Sequence, residues 1–540
     1  MVVIILWIFL SVLLIAFFPV EWGRALVYML AEGFGHDAVR VDQTVDLDPI
    51  IKQFPYVLSL GLLVVSVIVV NYRYVYAGTR KFGRDARAAW SFAWHSGRQH
   101  AANNKSVMIG LGVVTLIGLS LRLLYLNEPI RGDEAYTFTQ YARRPLFLGL
   151  TQYYVPNNHF LNTMLMRFSY LVFGNEPWAL RIPVLCAGVL LIPATYLVGV
   201  RLYSSGAGLV ASALVSSCSV LIEFSTNARG YTLLSLLFLC LLWLATYLYY
   251  SKNSAGWTAY IAFSVAGFFT LPTMVYAYSI VALWFIAILI FNRTSISKGQ
   301  LFTYLLLSSV AIVCITLLVY WPVWVVSDSF ADALFRHGAM ERGKFFSLFP
   351  NYVWHVYLHW TRDLPEALIW GTLGLFCLGA VGSRFTDRGR VPMALVTAIA
   401  ILSLLTLRPV LPFYRIWLFL LPLYFLVVSA GILNLIGVFK KETISASSQL
   451  WLGLAMMIVL SQGSVTLAKD SVRTSKATGT FLGGEQAVSY MASRMNQNDV
   501  VTTSNYTSAN VRYYLDRGRS LAKLTWSVEE MVGSRRVFII

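Results

Sequence analysis

Of 540 residues, 57% are hydrophobic and only 12% charged, more apolar surface than a water-soluble core can hide, which excludes an ordinary soluble domain. Lysine and arginine outnumber the acids 42 to 25, and in so apolar a chain that excess belongs to cytoplasmic loops rather than to a nucleic-acid surface. All five cysteines, Cys186, Cys218, Cys240, Cys314 and Cys377, fall in apolar runs, so they read as packing residues and not as a disulfide framework or a redox centre.

A helix needs about 20 mostly apolar residues to cross the hydrocarbon core. That test predicts thirteen spans, at 2–20, 56–72, 107–126, 179–200, 206–224, 231–250, 256–270, 275–291, 301–320, 366–382, 392–407, 413–436 and 449–466. The first lacks a basic leader and a nearby cleavage site and reads as a retained helix. Leu271–Pro272 separates the seventh from the eighth. Segment 73–106 carries Arg73, Arg80, Lys81, Arg84, Arg87, Arg98 and Lys105 against Asp85 alone, which places it in the cytoplasm, whereas 21–55 has six acids against three bases and belongs outside. Alternation then puts 127–178, 321–365 and the tail outside as well. The chain divides into an N-terminal two-helix segment with its basic loop (1–106), a membrane core (107–466) and a small exterior domain (467–540). The last reads as an α/β lid, with a turn at Gly483–Gly484, an amphipathic run over Gln486–Met495, a β-like stretch at Val500–Thr503 and a helical pattern across Val511–Leu515.

The stretch RGDEAYTFT, 131–139, sets Asp133 and Glu134 just beyond an apolar run. A carboxylate pair at a membrane surface is repelled by anionic head groups and calls for a use. The plainer account makes Asp133 the N-cap of a helix starting at Glu134. Next, VPNNHFLNTMLMRFSYLVFG, 155–174, shows helical periodicity behind Asn157, Asn158 and His159, as in an interfacial helix that directs polar groups at a cavity. In EFSTNARGYTL, 223–233, Arg229 stands beside Gly230 and Tyr231 on the side where positive charge is scarce. Its planar fork suits a phosphate, although snorkelling to head groups would also place an arginine there. The same pair of readings holds for Arg408 and Arg415 in LRPVLPFYRIWLFLLP, where Arg415 leads straight into an apolar span. The aromatics of 321–365, among them Trp321, Trp324, Tyr352, Trp354, Tyr357 and Trp360, can stack on sugars or anchor helices at the interface. His355 and His359 stand four apart, and a divalent metal there is the one cofactor the sequence offers, without the glutamate of an HExxH motif.

Taken in order, the acidic pair after a span, the Asn/His-led helix ending in FGNEPWALRIP and the later FSTNARGYTL resemble the GT-C glycosyltransferases, in particular bacterial relatives of protein O-mannosyltransferases and of the lipid A aminoarabinose transferase. The resemblance covers 107–320 well and the rest loosely; residues 1–100 have no counterpart in it. It implies an all-α polytopic membrane protein of the bacterial inner membrane, with exterior juxtamembrane helices. The activity implied is transfer of a sugar from a polyprenyl-phosphate donor to a lipid, glycan or protein acceptor at the outer face, with inversion. Asp133 would be the general base and Glu134 its neighbour in the acidic motif. Arg229 would hold the donor phosphate, and Asn158, His159, Tyr231 and Arg415 would line the substrate side. Relatives place a Pro-Pro pair after the histidine, where this chain has Phe160. A flippase of lipid-linked saccharides, a glycan polymerase or ligase and a structural membrane subunit are the competing readings.

Overall fold

The computed structural model describes residues 72–540 apart from 154–155, 292–295, 328–329, 332–337, 339, 383–391, 440–447, 476–478, 496–498, 504–506, 518–522, 525–536 and 540. The predicted spans 2–20 and 56–72 and the loop between them lie outside the described residues, save for Tyr72. The first helices are α1 (Tyr72–Asn103), α2 (Lys105–Leu124), α3 (Gly132–Thr137), α4 (Leu146–Thr151), α5 (Phe160–Phe173), α6 (Pro177–Leu202), α7 (Ser205–Ser217) and α8 (Ser219–Ser225). Then come α9 (Tyr231–Leu248), α10 (Ser254–Thr270), α11 (Met274–Phe291), α12 (Lys298–Val326), α13 (Arg342–Trp360), α14 (Glu366–Gly382), α15 (Met393–Leu407), a 3₁₀ turn (Tyr414–Leu420), α16 (Leu421–Phe439), α17 (Ser448–Lys469) and α18 (Ser471–Thr474). The tail adds α19 (Gly484–Ala492), β1 (Val500–Thr502), α20 (Ser508–Arg517), β2 (Lys523–Leu524) and β3 (Val537–Ile539).

Among the described residues seven helices are long and apolar enough to cross a membrane, or eight with one bent pair, and α5, α14 and α15 are shorter apolar helices. The bent pair corrects the fifth predicted span. The run 206–224 breaks by 64° between α7 and α8, where Cys218 takes an extended conformation (φ −65°, ψ 119°). The break strips the end of α7 of its helical donors, and polar groups replace them. Buried Arg122 donates to the carbonyls of Ser216 (2.9 Å) and Val215 (3.3 Å), and Thr466 Oγ1 donates to that of Ser217 (3.1 Å). Two further expectations are corrected. Segment 73–106 is a helix rather than a loop for nearly its whole length, and much of the predicted loop 321–365 is α13. Elsewhere α14 and α16 approach closely at Gly379 and Gly431, where an added Cβ would lie 2.0 Å from the Val427 carbonyl oxygen and 1.9 Å from that of Leu375.

Four helices run between two ends of the bundle. At one end α1 is tied to α6 by His100 Nε2 and the Tyr196 hydroxyl (2.7 Å), and to the start of α10 by Asp85, which accepts from Ser254 N (2.9 Å) and Oγ (2.6 Å). At the other, α2 leads into Arg131, α6 begins near Arg181, α9 begins at Tyr231, and Thr270 closes α10 against Gly230. The acidic stretch and α1 therefore stand at opposite ends.

The tail is a parallel three-stranded sheet in the order β2-β1-β3 with α20 following β1. It is no separable lid. Val488, Met491, Val501, Val511 and Tyr514 share one buried cluster with Ile130, Ala135, Phe138, Met166 and Ala228. Polar contacts pin the same seam, with Ile130 N donating to the Tyr514 hydroxyl (3.1 Å), Asn510 Nδ2 to the Ile130 carbonyl (2.6 Å) and Gly132 N to the Gly479 carbonyl (2.8 Å).

Candidate active site

The acidic helix α3 starts two residues earlier than the capping account requires. Arg131 occupies the N-cap position, and Glu134, not Asp133, closes the turn by accepting from Arg131 N at 2.8 Å. Glu134 is buried and saturated. It also accepts from Ala228 N (2.8 Å) and pairs with both forks of Arg181, whose other hydrogens hold the carbonyls of Leu126 (2.8 Å), Glu128 (2.7 Å) and Pro129 (3.0 Å). Burial alone would raise its carboxyl pKa, but the charge and hydrogen bonds of Arg181, with Arg131 and Ala228 N, hold it below the ordinary value. The catalytic expectation for Glu134 is therefore replaced by a positioning one.

Asp133 faces the other way around the helix. Its side chain is 29% exposed and its Oδ2 meets Nη1 of Arg415 at 2.8 Å, an arginine 282 residues further along the chain. The chain at Asp133 is steadied from behind. Its carbonyl accepts from Asn157 Nδ2 (3.3 Å), and Arg229 donates to the Asn157 carbonyl (3.0 Å) and the Thr137 hydroxyl (3.2 Å). Arg229 is thus a buried brace as well as a cation, while its Nε has no partner. Asn158, expected to meet substrate, is spent internally. Its amide donates to the carbonyls of Gly149 (2.7 Å) and Gln152 (2.9 Å), and its oxygen accepts from Thr163 (2.8 Å).

His159 sits at the head of α5 with Nδ1 accepting from Gly230 N at 2.8 Å, so the neutral ring carries its hydrogen on Nε2. Nε2 lies 3.1 Å from Nη2 of Arg229, which puts two donors side by side. Neither can satisfy the other; an acceptor oxygen reaching both would. Burial first, then the charges of Arg229 and Arg415, keep the His159 pKa well below its ordinary value, so the ring stays neutral. Tyr231 packs edge-on to His159 (4.9 Å between centroids) and lies 5.7 and 5.8 Å from the guanidinium carbons of Arg229 and Arg415.

His159, Tyr231 and Arg415 border a cavity of about 620 Å³ whose wall also includes Tyr153 and Arg408. Tyr352 lines it too and borders a second, apolar cavity of about 410 Å³ with Trp354, Tyr357, Trp360, Trp417 and Tyr424. His355 donates to the Asn351 carbonyl, 2.7 Å away, and His359 packs near Tyr414. Among the described residues no cluster of three His, Cys, Asp or Glu side chains is placed to hold a metal ion.

Residues 160–321 match the family described as dolichyl-phosphate-mannose-protein mannosyltransferase. Among solved structures, apo ArnT from Cupriavidus metallidurans superposes with a TM-score of 0.50 at 15% identity, over 80% of this chain and 88% of its own. The same protein bound to undecaprenyl phosphate gives 0.50 at 15%, over 79% and 89%. ArnT is a GT-C glycosyltransferase. This chain has the GT-C membrane fold. No curated protein sequence matches it.

Within the GT-C fold, Asp133, His159, Arg229, Tyr231 and Arg415 converge from four separate stretches, while Glu134 and Asn158 stand behind them as supports. The roles of Arg181 and Arg131 have no mark in the sequence. Arg181 was in view inside FGNEPWALRIP, but an arginine at a helix start carries no mark of its partner until the chain has folded. Arg131, adjacent to the acidic pair, donates to the carbonyls of Glu223 (3.1 Å) and Val472 (2.9 Å) and joins three distant segments.

Proposed function

We propose that this chain is a glycosyltransferase that moves a sugar from a polyprenyl-phosphate-linked donor to an acceptor hydroxyl, with inversion, at the outer face of the membrane. The observation that carries the reading is the contact of Asp133 with Arg415 at a cavity walled by His159 and Tyr231. The related ArnT structure is bound to undecaprenyl phosphate. A phosphate on an isoprenoid chain asks for converging donors beside an apolar path. Here Arg415 and the Nε2–H of His159 supply the donors at the cavity wall, with Arg229 behind them, and the aromatic cavity past Tyr352 supplies the path.

The acceptor oxygen attacks the anomeric carbon while the bond from that carbon to the phosphate oxygen breaks. The bonding pair leaves with the polyprenyl phosphate, and the hydroxyl proton passes to Asp133. One displacement inverts the centre. A phosphate competes with Asp133 for the Arg415 fork, so donor arrival frees the carboxylate for the proton it must take. Charge appearing on the leaving group is met by fixed cations in a site shielded from water, where they act most strongly.

The test is Asp133→Asn, purified and shown to be folded and donor-binding, assayed with a lipid-linked donor extract. Turnover should fall by about 10²–10⁴. Near-normal turnover overturns the assignment of the base.

A further inference from the structure

We propose that α1 is a lipid-binding helix, lying along the membrane surface at the end of the bundle opposite the acidic stretch, with outward arginines that bind the head groups of acidic phospholipids. The helix runs 32 residues, about 48 Å at 1.5 Å per residue. Its two anchors, Asp85 on the start of α10 and His100 on the last turns of α6, hold it across the ends of spanning helices rather than alongside them.

Successive residues turn by about 100° around a helix, so the anchors define the inward face. Asp85, the acid of the helix, is turned inward and taken by Ser254. The opposite face shows Arg80, Arg84, Arg87 and Arg98, all exposed. Along one flank run Tyr76, Trp90 and Trp94, at 57%, 73% and 57% exposure. A surface facing only water has no reason to display two tryptophans. Beside a row of arginines they form the pattern of a helix seated at head-group depth, rings toward the acyl boundary and guanidiniums among phosphates. A second copy of the chain is the poorer occupant, because pairing α1 with itself would bring two like-charged rows together.

The full chain is reconstituted in nanodiscs of neutral phospholipid holding a minority lipid brominated on its acyl chains, either acidic or neutral, at equal mole fraction. The signal of the helix is the quenching lost in Trp90→Phe/Trp94→Phe. Brominated acidic lipid should quench it more than brominated neutral lipid, the local preference for acidic lipid rising by about fivefold for each arginine engaged at low salt. The excess should shrink as salt rises and vanish in Arg80→Gln/Arg84→Gln/Arg87→Gln/Arg98→Gln. Equal quenching by the two lipids, no quenching by either, or an excess indifferent to salt overturns the proposal. The salt series uses the unaltered chain, so a variant that fails to fold does not shield the proposal.

Discussion

Asp133 and Glu134 are neighbours in sequence and strangers in environment, because one step along a helix turns the side chain by about 100°. Asp133 stays partly exposed and meets Arg415, a cavity-lining arginine that a phosphate can claim; Glu134 meets Arg181 in a closed interior. Removing the Glu134 charge leaves Arg181 buried and uncompensated, so Glu134→Gln should destabilise the protein by about 3–5 kcal/mol, read as a lowered thermal midpoint in detergent. Arg181→Met should do comparable damage, since three loop carbonyls lose their donor as well. His159 gives a pH signature. Its folded pKa lies well below its ordinary 6.5, so the unfolded chain takes the proton first, and stability present above about pH 6.5 drains away as pH falls below it. Unfolding midpoints between pH 8 and about pH 5 should fall in the parent and flatten in His159→Gln. An unchanged slope would show that the ring is not held neutral.

The turn from α8 into α9 is the element on which the site depends, since it brings Ala228 N to Glu134, Arg229 to the chain at Asn157 and Gly230 N to His159. Gly230 is there for space and not for an unusual backbone angle. A Cβ would lie 2.6 Å from Thr270 Cγ2 and 3.2 Å from both Cβ and Nδ1 of His159. Gly230→Ala should therefore displace His159 and Thr270 at a cost of about 1–3 kcal/mol, and donor affinity should drop with the membrane bundle intact. Titrating the purified variant with polyprenyl phosphate measures this; wild-type affinity would free His159 from the phosphate site. The same turn explains why the interfacial-arginine reading of Arg229 fails geometrically. A snorkelling side chain reaches outward, and this one is buried and bracing.

At the scale of the molecule, α1 and the tail lie at opposite ends of the bundle, with the acidic stretch sewn to the tail. The proposed outer-face reaction requires the α1 end to lie in the cytoplasm, as the charge asymmetry along the chain predicts. With the five native cysteines replaced, an impermeant thiol reagent on intact cells should label Ser493→Cys in the tail and spare Ser96→Cys on α1, both exposed positions. The reverse pattern would turn the site inward and remove the proposed outer-face reaction. Because the tail shares its buried cluster with Ile130 and Ala135, cutting the chain after α18 should cost the acidic helix its support; transfer and donor binding should both fall, where loss of a mere lid would spare binding.

Sequence alone determined the membrane character and the positions of most apolar helices among the described residues, because hydrophobic length is a local property. The break between Leu271 and Met274 was legible from one proline. The kink at Cys218 was not, since the hydrogen bonds that compensate it come from Arg122 on another helix. Nor could the pattern of charges tell Asp133 from Glu134, or Asn158 from His159. For the acidic pair, which carboxylate is left partly exposed and which is consumed in the interior depends on partners 47 and 282 residues away. Only the folded chain brings those partners within hydrogen-bond reach, and in a buried site that reach separates a group held in place from one left available to a substrate.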